Sequence, residues 1–180
     1  MYSMEVSQTQ SYSPKTSQMQ TNKLNGAWTF WSHLPHDTNW SVDSYKEIYN
    51  MEYVEEALAL VEGLSPRLVK NCMLFLMRKG IRPTWEDPSN ANGGSFSYKV
   101  SNKSVFECWK QLSYALMGET LSKNELLQKS ITGITISPKK NFCIVKIWLK
   151  DGKHQNAREI TNIPHLAAEG CLFKLHKPEF

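Results

Sequence analysis

Two tryptophans and a carboxylate stand in polar segments of this 180-residue chain, where an indole has no obvious apolar partner. Trp85 and Glu86 lie between Pro83 and Pro88, which restrict the backbone at both ends of their segment. Trp40 lies in a second polar segment, between two predicted strands. A tryptophan in a polar loop is unfavourable unless something covers it. These three side chains therefore indicate a binding site for a flat molecule.

A flat ring that carries a positive charge would suit such a site best. Charge–quadrupole attraction then adds to dispersion, by about 1–2 kcal/mol for each indole face. N7-methylguanine is such a ring, and its N1–H and exocyclic amine can both donate to one carboxylate, as adenine cannot. The hypothesis is that stacking supplies affinity while Glu86 identifies the base. The alternative is that both tryptophans are half-buried structural residues beside a solvated glutamate, which is the commoner situation for these residue types.

The length and composition of the chain predict one ordinary globular domain. Hydrophobic residues make up 41% and charged residues 21%, and the net charge of +4 suits an anionic partner. No apolar run reaches the roughly 18 residues of a membrane span, and the N-terminus lacks the order of a signal peptide. We therefore expect a cytoplasmic protein, with the nucleus as a second location, and no membrane partner. The four cysteines and five histidines show no ligand spacing, so free thiols and no metal are expected.

Periodicity predicts the elements that would position these residues. Residues 1–23 are rich in Ser, Gln and Thr and predict a disordered tail, which leaves residues 24–180 as the domain. Alternating or apolar runs predict strands over residues 27–34, 43–50, 72–79, 96–101 (an exposed strand), 131–137, 142–150 and 171–176. Helical spacing predicts helices over residues 52–62, 104–118, from 122, and over 155–169, where Pro164 would interrupt the last one. This order predicts an α+β fold, with one antiparallel sheet, helices on one face and a ligand on the other.

From Trp28 to about His176 the chain resembles the cap-binding translation initiation factor 4E family. The matching features are Trp28-x-x-Trp31, Trp40, the segment KGIRPTWED at residues 79–87, Gly93-Gly94, Trp109 with Gly118-Glu119, and Ile147-Trp148. The resemblance implies a single curved sheet of about seven or eight strands, with three helices on its convex face and the cap site on its concave face. It also implies a protein without enzymatic activity or cofactor, which binds the N7-methylguanosine cap of mRNA, not DNA, in translation initiation.

The same resemblance implies a role for each aromatic residue. Trp40 and Trp85 would sandwich the methylated base, Glu86 would accept from its edge, and Trp148 would touch the N7 methyl group. The core residues would be Trp28, Trp31 and Trp109. Two other functions stay open: a cap-sequestering repressor that does not recruit the usual scaffold factor, and a nucleotide or cap hydrolase. The hydrolase is disfavoured because the chain has no P-loop, no paired metal carboxylates and no nucleophile motif.

The chain departs from the family's pattern where the cap phosphates would bind. Ser95 follows Gly93-Gly94, where the family usually has a basic residue. Lys139 and Lys140 lie in the predicted hairpin, and Lys146 lies two residues before Trp148, so it should share its face of the strand. We expect these three lysines to bind the phosphates. The alternative is that they belong to a solvated turn and strand edge.

A second departure lies on the convex face, where family members bind a scaffold factor of the 4G type. The positions that match this surface are Val54, Leu58, Lys110, Gln111 and Tyr114. Leu58 replaces an aromatic residue, and Lys110 and Gln111 bring a charge and an amide to the second helix. We therefore expect either the scaffold factor or a dedicated, divergent equivalent to bind here.

Overall fold

The computed structural model describes residues 21–177. The predicted disordered tail lies outside these residues, apart from its last three. Seven strands are present: β1 (Lys23–His33), β2 (Tyr45–Tyr53), β3 (Met73–Arg78), β4 (Gly94–Ser101), β5 (Ile131–Pro138), β6 (Phe142–Leu149) and β7 (Leu172–Leu175). The α-helices in the described part of the chain are α1 (Val54–Gly63), α2 (Pro66–Asn71), α3 (Val105–Met117) and α4 (Glu125–Ser130).

The strands form one antiparallel sheet in the order β2-β1-β3-β5-β6-β4-β7. Because successive side chains of a strand point to opposite faces, each strand divides its residues between two environments. On β3, Leu74 and Leu76 face the helices, and their core includes Trp109 and Leu112 of α3. We call this side of the sheet the helix face, and the other side the open face. The predicted α+β class and antiparallel sheet are confirmed.

A second, smaller apolar cluster lies on the open face. Phe75, Met77 and Trp148 are buried there, and Trp31 and Tyr45 pack against them. Trp28 and Trp109 belong to the main core, as predicted, but Trp31 lies half-buried in this smaller cluster. Trp31 is therefore part of the floor of the open face.

The helix predicted over residues 155–169 is wrong. Only a 3₁₀ turn at Ala157–Glu159 forms, although Ile160, Ile163 and Leu166 are buried in the core. Pro164 has no N–H to donate and disfavours the α conformation at the residue before it, so a helix cannot continue through this point. His165 has a φ of 70°, which also lies outside the helical region.

Two further differences concern β4 and α2. The strand at residues 96–101 was predicted to be exposed, but Phe96, Tyr98 and Val100 are buried because they pack in the main core of the helix face. The helix α2 was not predicted. It begins at a local signal, since the Ser65 hydroxyl accepts a hydrogen bond from the Leu68 N–H and Pro66 occupies the first turn.

Candidate functional site

The loop between β1 and β2 presents Trp40 to solvent. Its indole is 58% exposed, although the loop itself is held by short-range hydrogen bonds. The Asp37 carboxylate accepts from the Asn39 N–H at 2.8 Å, and the Asn39 side-chain oxygen accepts from the Ser41 N–H at 2.9 Å. One face of the indole stacks on the ring of His33, with centroids 4.3 Å apart and planes 6° from parallel. The loop thus offers a supported, exposed aromatic surface.

The loop between β3 and β4 presents Trp85 and Glu86, and two buried polar residues hold its shape. The Asp87 carboxylate accepts from the backbone N–H groups of Arg82 and Ser89, at 3.0 and 2.9 Å. Asn90 is fully buried. Trp85 is 46% exposed and Glu86 is also exposed, so the rigid part of the loop projects both side chains outward.

Asn90 joins this loop to two other parts of the sheet. Its amide group donates to the carbonyl oxygens of Arg82 and Thr84, at 3.2 and 2.9 Å. Its side-chain oxygen accepts from the Thr132 hydroxyl on β5 at 2.8 Å, and its backbone oxygen accepts from Nδ1 of His176 at 2.8 Å. A buried amide with all these partners fixes the loop against β5 and the segment after β7.

The same loop folds back over the open face. Ile81 packs on the cluster of Phe75, Met77 and Trp148. Burial raises the pKa of the Tyr45 hydroxyl, and the charge of Glu86 raises it further. The carboxylate of Glu86 therefore acts on Tyr45, whose ring also contacts His33, the residue that supports Trp40. Tyr45 thus connects the open-face cluster with the residue that supports Trp40.

The pairing of β4 and β5 with β6 shows which residues of β6 lie on the open face. Ser95 pairs with Trp148, and Ser97 pairs with Lys146, so these neighbours share rows of the sheet. Thr135 of β5 pairs with both Lys146 and Phe75. The structure therefore places Lys146 on the face of Trp148, as the two-residue spacing predicts.

A cavity of about 240 Å³ lies on this part of the open face. It is lined by Met73, Thr135, Ser137, Lys139, Ile144, Lys146 and Trp148. Within residues 21–177, the Thr135 hydroxyl and the indole N–H of Trp148 are buried without a hydrogen-bond partner. Unpartnered polar groups are costly to bury, and these two belong to residues that line the cavity.

Basic side chains dominate the charge around this cavity. Burial lowers the pKa of the Lys146 ammonium, and the charges of Lys174 and Lys139 lower it further. Among the described residues, none of these three lysines pairs with a carboxylate. An anion in the cavity would relieve this like-charge repulsion. Lys140, the third predicted phosphate ligand, lies exposed in the turn between β5 and β6 and does not line the cavity.

A model of the family described as Eukaryotic initiation factor 4E matches residues 23–176 of the chain. The chain belongs to this family. Translation initiation factor 4E-2 of Schizosaccharomyces pombe is 31% identical over 152 residues, which are 81% of this chain and 60% of that protein. Translation initiation factor isoform 4E of Capsicum annuum is 30% identical over 151 residues, which are 80% of this chain and 72% of that protein. The match therefore spans less than two thirds of the yeast relative.

Two solved structures of the initiation factor 4E family share the fold. Factor 4E-3 of Ascaris suum with m7G cap aligns with a TM-score of 0.67 and 21% identity, and covers 77% of this chain and 79% of that one. Factor 4E-3 of C. elegans, in complex with the 4E-binding protein Mextli and a cap analog, aligns with a TM-score of 0.72 and 18% identity, and covers 87% and 94%. Both structures are under 25% identical to this chain, and the likeness shows the shared fold.

Three residues of the site in this 4E family member were missed from the sequence. Lys174 of β7 pairs with Ser95 of β4, and so adds a third ammonium on the open face. The ring of His176 packs on Trp148, with centroids 4.7 Å apart. Burial lowers the pKa of His176, as does the Lys146 charge, although its bond to the Asn90 carbonyl acts in the opposite direction. His33 is the third. The two-residue spacing of Lys174 and His176 was visible in the sequence, but the pairing of β7 with β4 could not be predicted from it.

The helix face of this 4E family member carries the positions predicted to bind a protein partner. Leu58 of α1 is 46% exposed. Lys110 and Tyr114 of α3 both reach Glu62 of α1: the ammonium lies 3.0 Å from its carboxylate, and the tyrosine hydroxyl donates to it. Burial, together with the bond to Glu62, raises the pKa of Tyr114 to about 12.

The other two positions on this face are Gln111, whose amide donates to the Glu107 carboxylate at 2.8 Å, and Val54, half-buried at the start of α1. The surface thus consists of an exposed leucine beside polar groups that already have partners.

All four cysteines are free, and residues 21–177 contain no cluster of metal-ligating side chains. The helices in that part of the chain are all too short or too polar to cross a bilayer.

Proposed function

We propose that the chain binds the N7-methylguanosine cap of mRNA on its open face and acts in translation initiation in the cytoplasm. The observation that carries the proposal is the pair of exposed tryptophans on two braced loops, with Glu86 exposed directly beside Trp85. Trp40 and Trp85 stack on the methylated base, Glu86 accepts from its edge, and Trp148 contacts the N7 methyl group. The m7G cap in the Ascaris suum relative supports this assignment.

The direct test is a titration with 7-methylguanosine triphosphate and with guanosine triphosphate, followed by tryptophan fluorescence and calorimetry. Stacking on two indoles should quench their fluorescence. The methylated ligand should bind roughly 100-fold more tightly, since each indole face contributes about 1–2 kcal/mol more to a cationic ring. Equal affinities for the two ligands would overturn the proposal. The experiment also separates cap binding from general nucleotide binding, because both ligands carry the same phosphates.

The cap phosphates bind at the lysines around the open-face cavity. Lys146 and Lys139 line it, and Lys174 acts on Lys146 from the neighbouring row. Because Ser95 carries no charge, these ammonium groups supply the attraction for the triphosphate. Lys140 extends the same positive field from the exposed turn, at a greater distance from the cavity.

Lys146→Met is expected to weaken binding of the methylated triphosphate by about 1.5–3 kcal/mol, because a charge-assisted bond is lost. Binding of the methylated nucleoside should change much less, and the salt dependence of triphosphate binding should flatten. Isothermal calorimetry at two salt concentrations measures both effects. Lys139→Met should weaken triphosphate binding in the same way, and Lys140→Met should weaken it less. Lys123→Met, on the helix side, is the matched control. Equal losses for nucleoside and triphosphate would show that the phosphates bind elsewhere.

The partner of the helix face is a scaffold factor of the 4G type or a dedicated equivalent. The C. elegans relative in complex with Mextli supports a partner of this general kind. The chemistry of the face differs, however, because Leu58 offers neither the area nor the N–H of an indole, and Lys110 is already paired with Glu62. A peptide that covers this face must either break that pair or bury it.

A consensus scaffold peptide, with a tyrosine followed by a leucine and a second apolar residue, is expected to give no heat up to high micromolar concentration. The loss of one central anchor costs about 2 kcal/mol or more, and covering Lys110 adds to that cost. Calorimetry with the wild type, Leu58→Trp and the double variant Leu58→Trp with Lys110→Leu apportions the two effects. Nanomolar binding to the wild type would show that the surface tolerates these residues.

A further inference from the structure

His33 is the side chain on which the exposed Trp40 rests. The imidazole is only 2% exposed and lies parallel to the indole at a centroid distance of 4.3 Å. His33 is the last residue of β1, and its backbone pairs with Tyr45 on one side and with Met73 on the other. The support of the indole therefore belongs to the sheet and not to the loop.

The imidazole itself is fixed from three directions. Its Nε2 lies 2.8 Å from the carbonyl oxygen of Asn39, the residue before Trp40, and its Nδ1 lies 3.1 Å from that of Leu34. A neutral ring donates to one of these carbonyls and an imidazolium to both. The ring of Tyr45 meets it edge-on at 5.2 Å, and Tyr45 in turn packs edge-on against Phe75 at 5.4 Å. Both the loop and the ring stack are thereby tied to one buried side chain.

A flat support of this kind determines how the indole meets a ligand. With one face covered by His33, Trp40 has only its opposite face left for stacking. An indole held in one orientation before binding has less rotamer freedom to lose when the ligand arrives. Ligand stacking also depends on parallel planes, which a branched aliphatic support would not impose.

We infer that His33 is a positioning residue, which orients Trp40 for stacking before the methylated base binds. The inference rests on the proposed cap-binding function. It assigns to His33 no contact with the ligand, because the imidazole lies on the far side of the indole. His33 contributes through the order of Trp40, and the preorganisation is worth about 2- to 10-fold in affinity.

Three substitutions separate the ring stack from the hydrogen bonds. His33→Leu removes both the flat ring and the donor, His33→Gln keeps a donor without a ring, and His33→Phe keeps the ring without a donor. Affinity for 7-methylguanosine triphosphate should fall about 2- to 10-fold in the Leu and Gln variants and recover in the Phe variant. NMR relaxation of the Trp40 indole N–H in the free protein should show more motion in Leu and Gln than in Phe. His36→Asn, in the same loop at an exposed residue with positive φ, is the matched control.

A double-mutant cycle shows whether His33 acts through Trp40. In a Trp40→Ala background, His33→Leu should cost no further affinity, because the side chain that it positions is gone. If Trp40→Ala alone leaves affinity unchanged, the proposed sandwich fails. If Trp40→Ala weakens binding but the His33 variants change neither affinity nor indole motion, only the present inference fails. Should His33→Leu not fold, the comparison of His33→Gln with His33→Phe decides the question by the same two measurements.

Discussion

Trp40→Ala and Trp85→Ala are each expected to weaken binding of the methylated cap analogue by about 1–3 kcal/mol, or roughly 5- to 150-fold. Both indoles are largely exposed, so each substitution removes a stacking surface without opening a cavity in the core. The melting temperature should therefore stay close to that of the wild type. Calorimetry measures the loss, and circular dichroism checks the fold.

The controls separate stacking from the loss of apolar surface in general. Leu126→Ala removes a side chain of α4 that is also strongly exposed, and it should leave cap affinity unchanged. Trp40→Phe and Trp85→Phe keep a smaller aromatic face and should lose less than the alanine variants. If both alanine variants keep wild-type affinity, the methylated base does not bind between these residues.

Glu86→Gln is expected to cost about 1.5–3 kcal/mol in affinity for the methylated guanine ligand. The amide keeps the shape of the carboxylate but replaces one acceptor oxygen by an NH₂ group, which faces a donor of the base. The loop should persist, because Asp87 and Asn90 supply the hydrogen bonds that hold it. Discrimination between N7-methylguanine and methyladenine ligands should fall along with affinity.

Competition between the two methylated bases is the measurement that decides the role of Glu86. Glu125→Gln, an exposed glutamate on α4, is the matched control for loss of one negative charge. An unchanged preference for guanine in Glu86→Gln would mean that another group identifies the base. A loss of affinity without a loss of preference would assign Glu86 a general electrostatic role.

Features that depend on local spacing were predictable from the sequence. Lys146 shares a face with Trp148 because the strand period is two, and the order of β5 and β6 follows from a short turn. The bracketing prolines correctly indicated that the segment around Trp85 has a defined shape. Its actual braces, Asp87 and Asn90, were not singled out, because an Asp and an Asn in a loop are usually solvated.

Features that depend on which strands become neighbours could not be derived from local spacing. Lys174 and His176 belong to the site only because β7 pairs with β4, at a distance of almost eighty residues along the chain. The sequence alone could not distinguish His33 from a solvated histidine, because its stacking on Trp40 depends on the fold of the loop. The residues 160, 163 and 166 keep a helical spacing without a helix, because Pro164 excludes one while the apolar side chains still enter the core.

Changes near His176, just after β7, should affect the Trp85 loop, because Asn90 connects the two. One buried amide side chain and its own carbonyl link the Trp85 loop to β5 and to His176, which follows β7. A reporter fused close behind residue 176, or a deletion that reaches it, would therefore act on a loop more than eighty positions away. A biosensor could use this connection, because strain applied near residue 176 should change the ligand affinity.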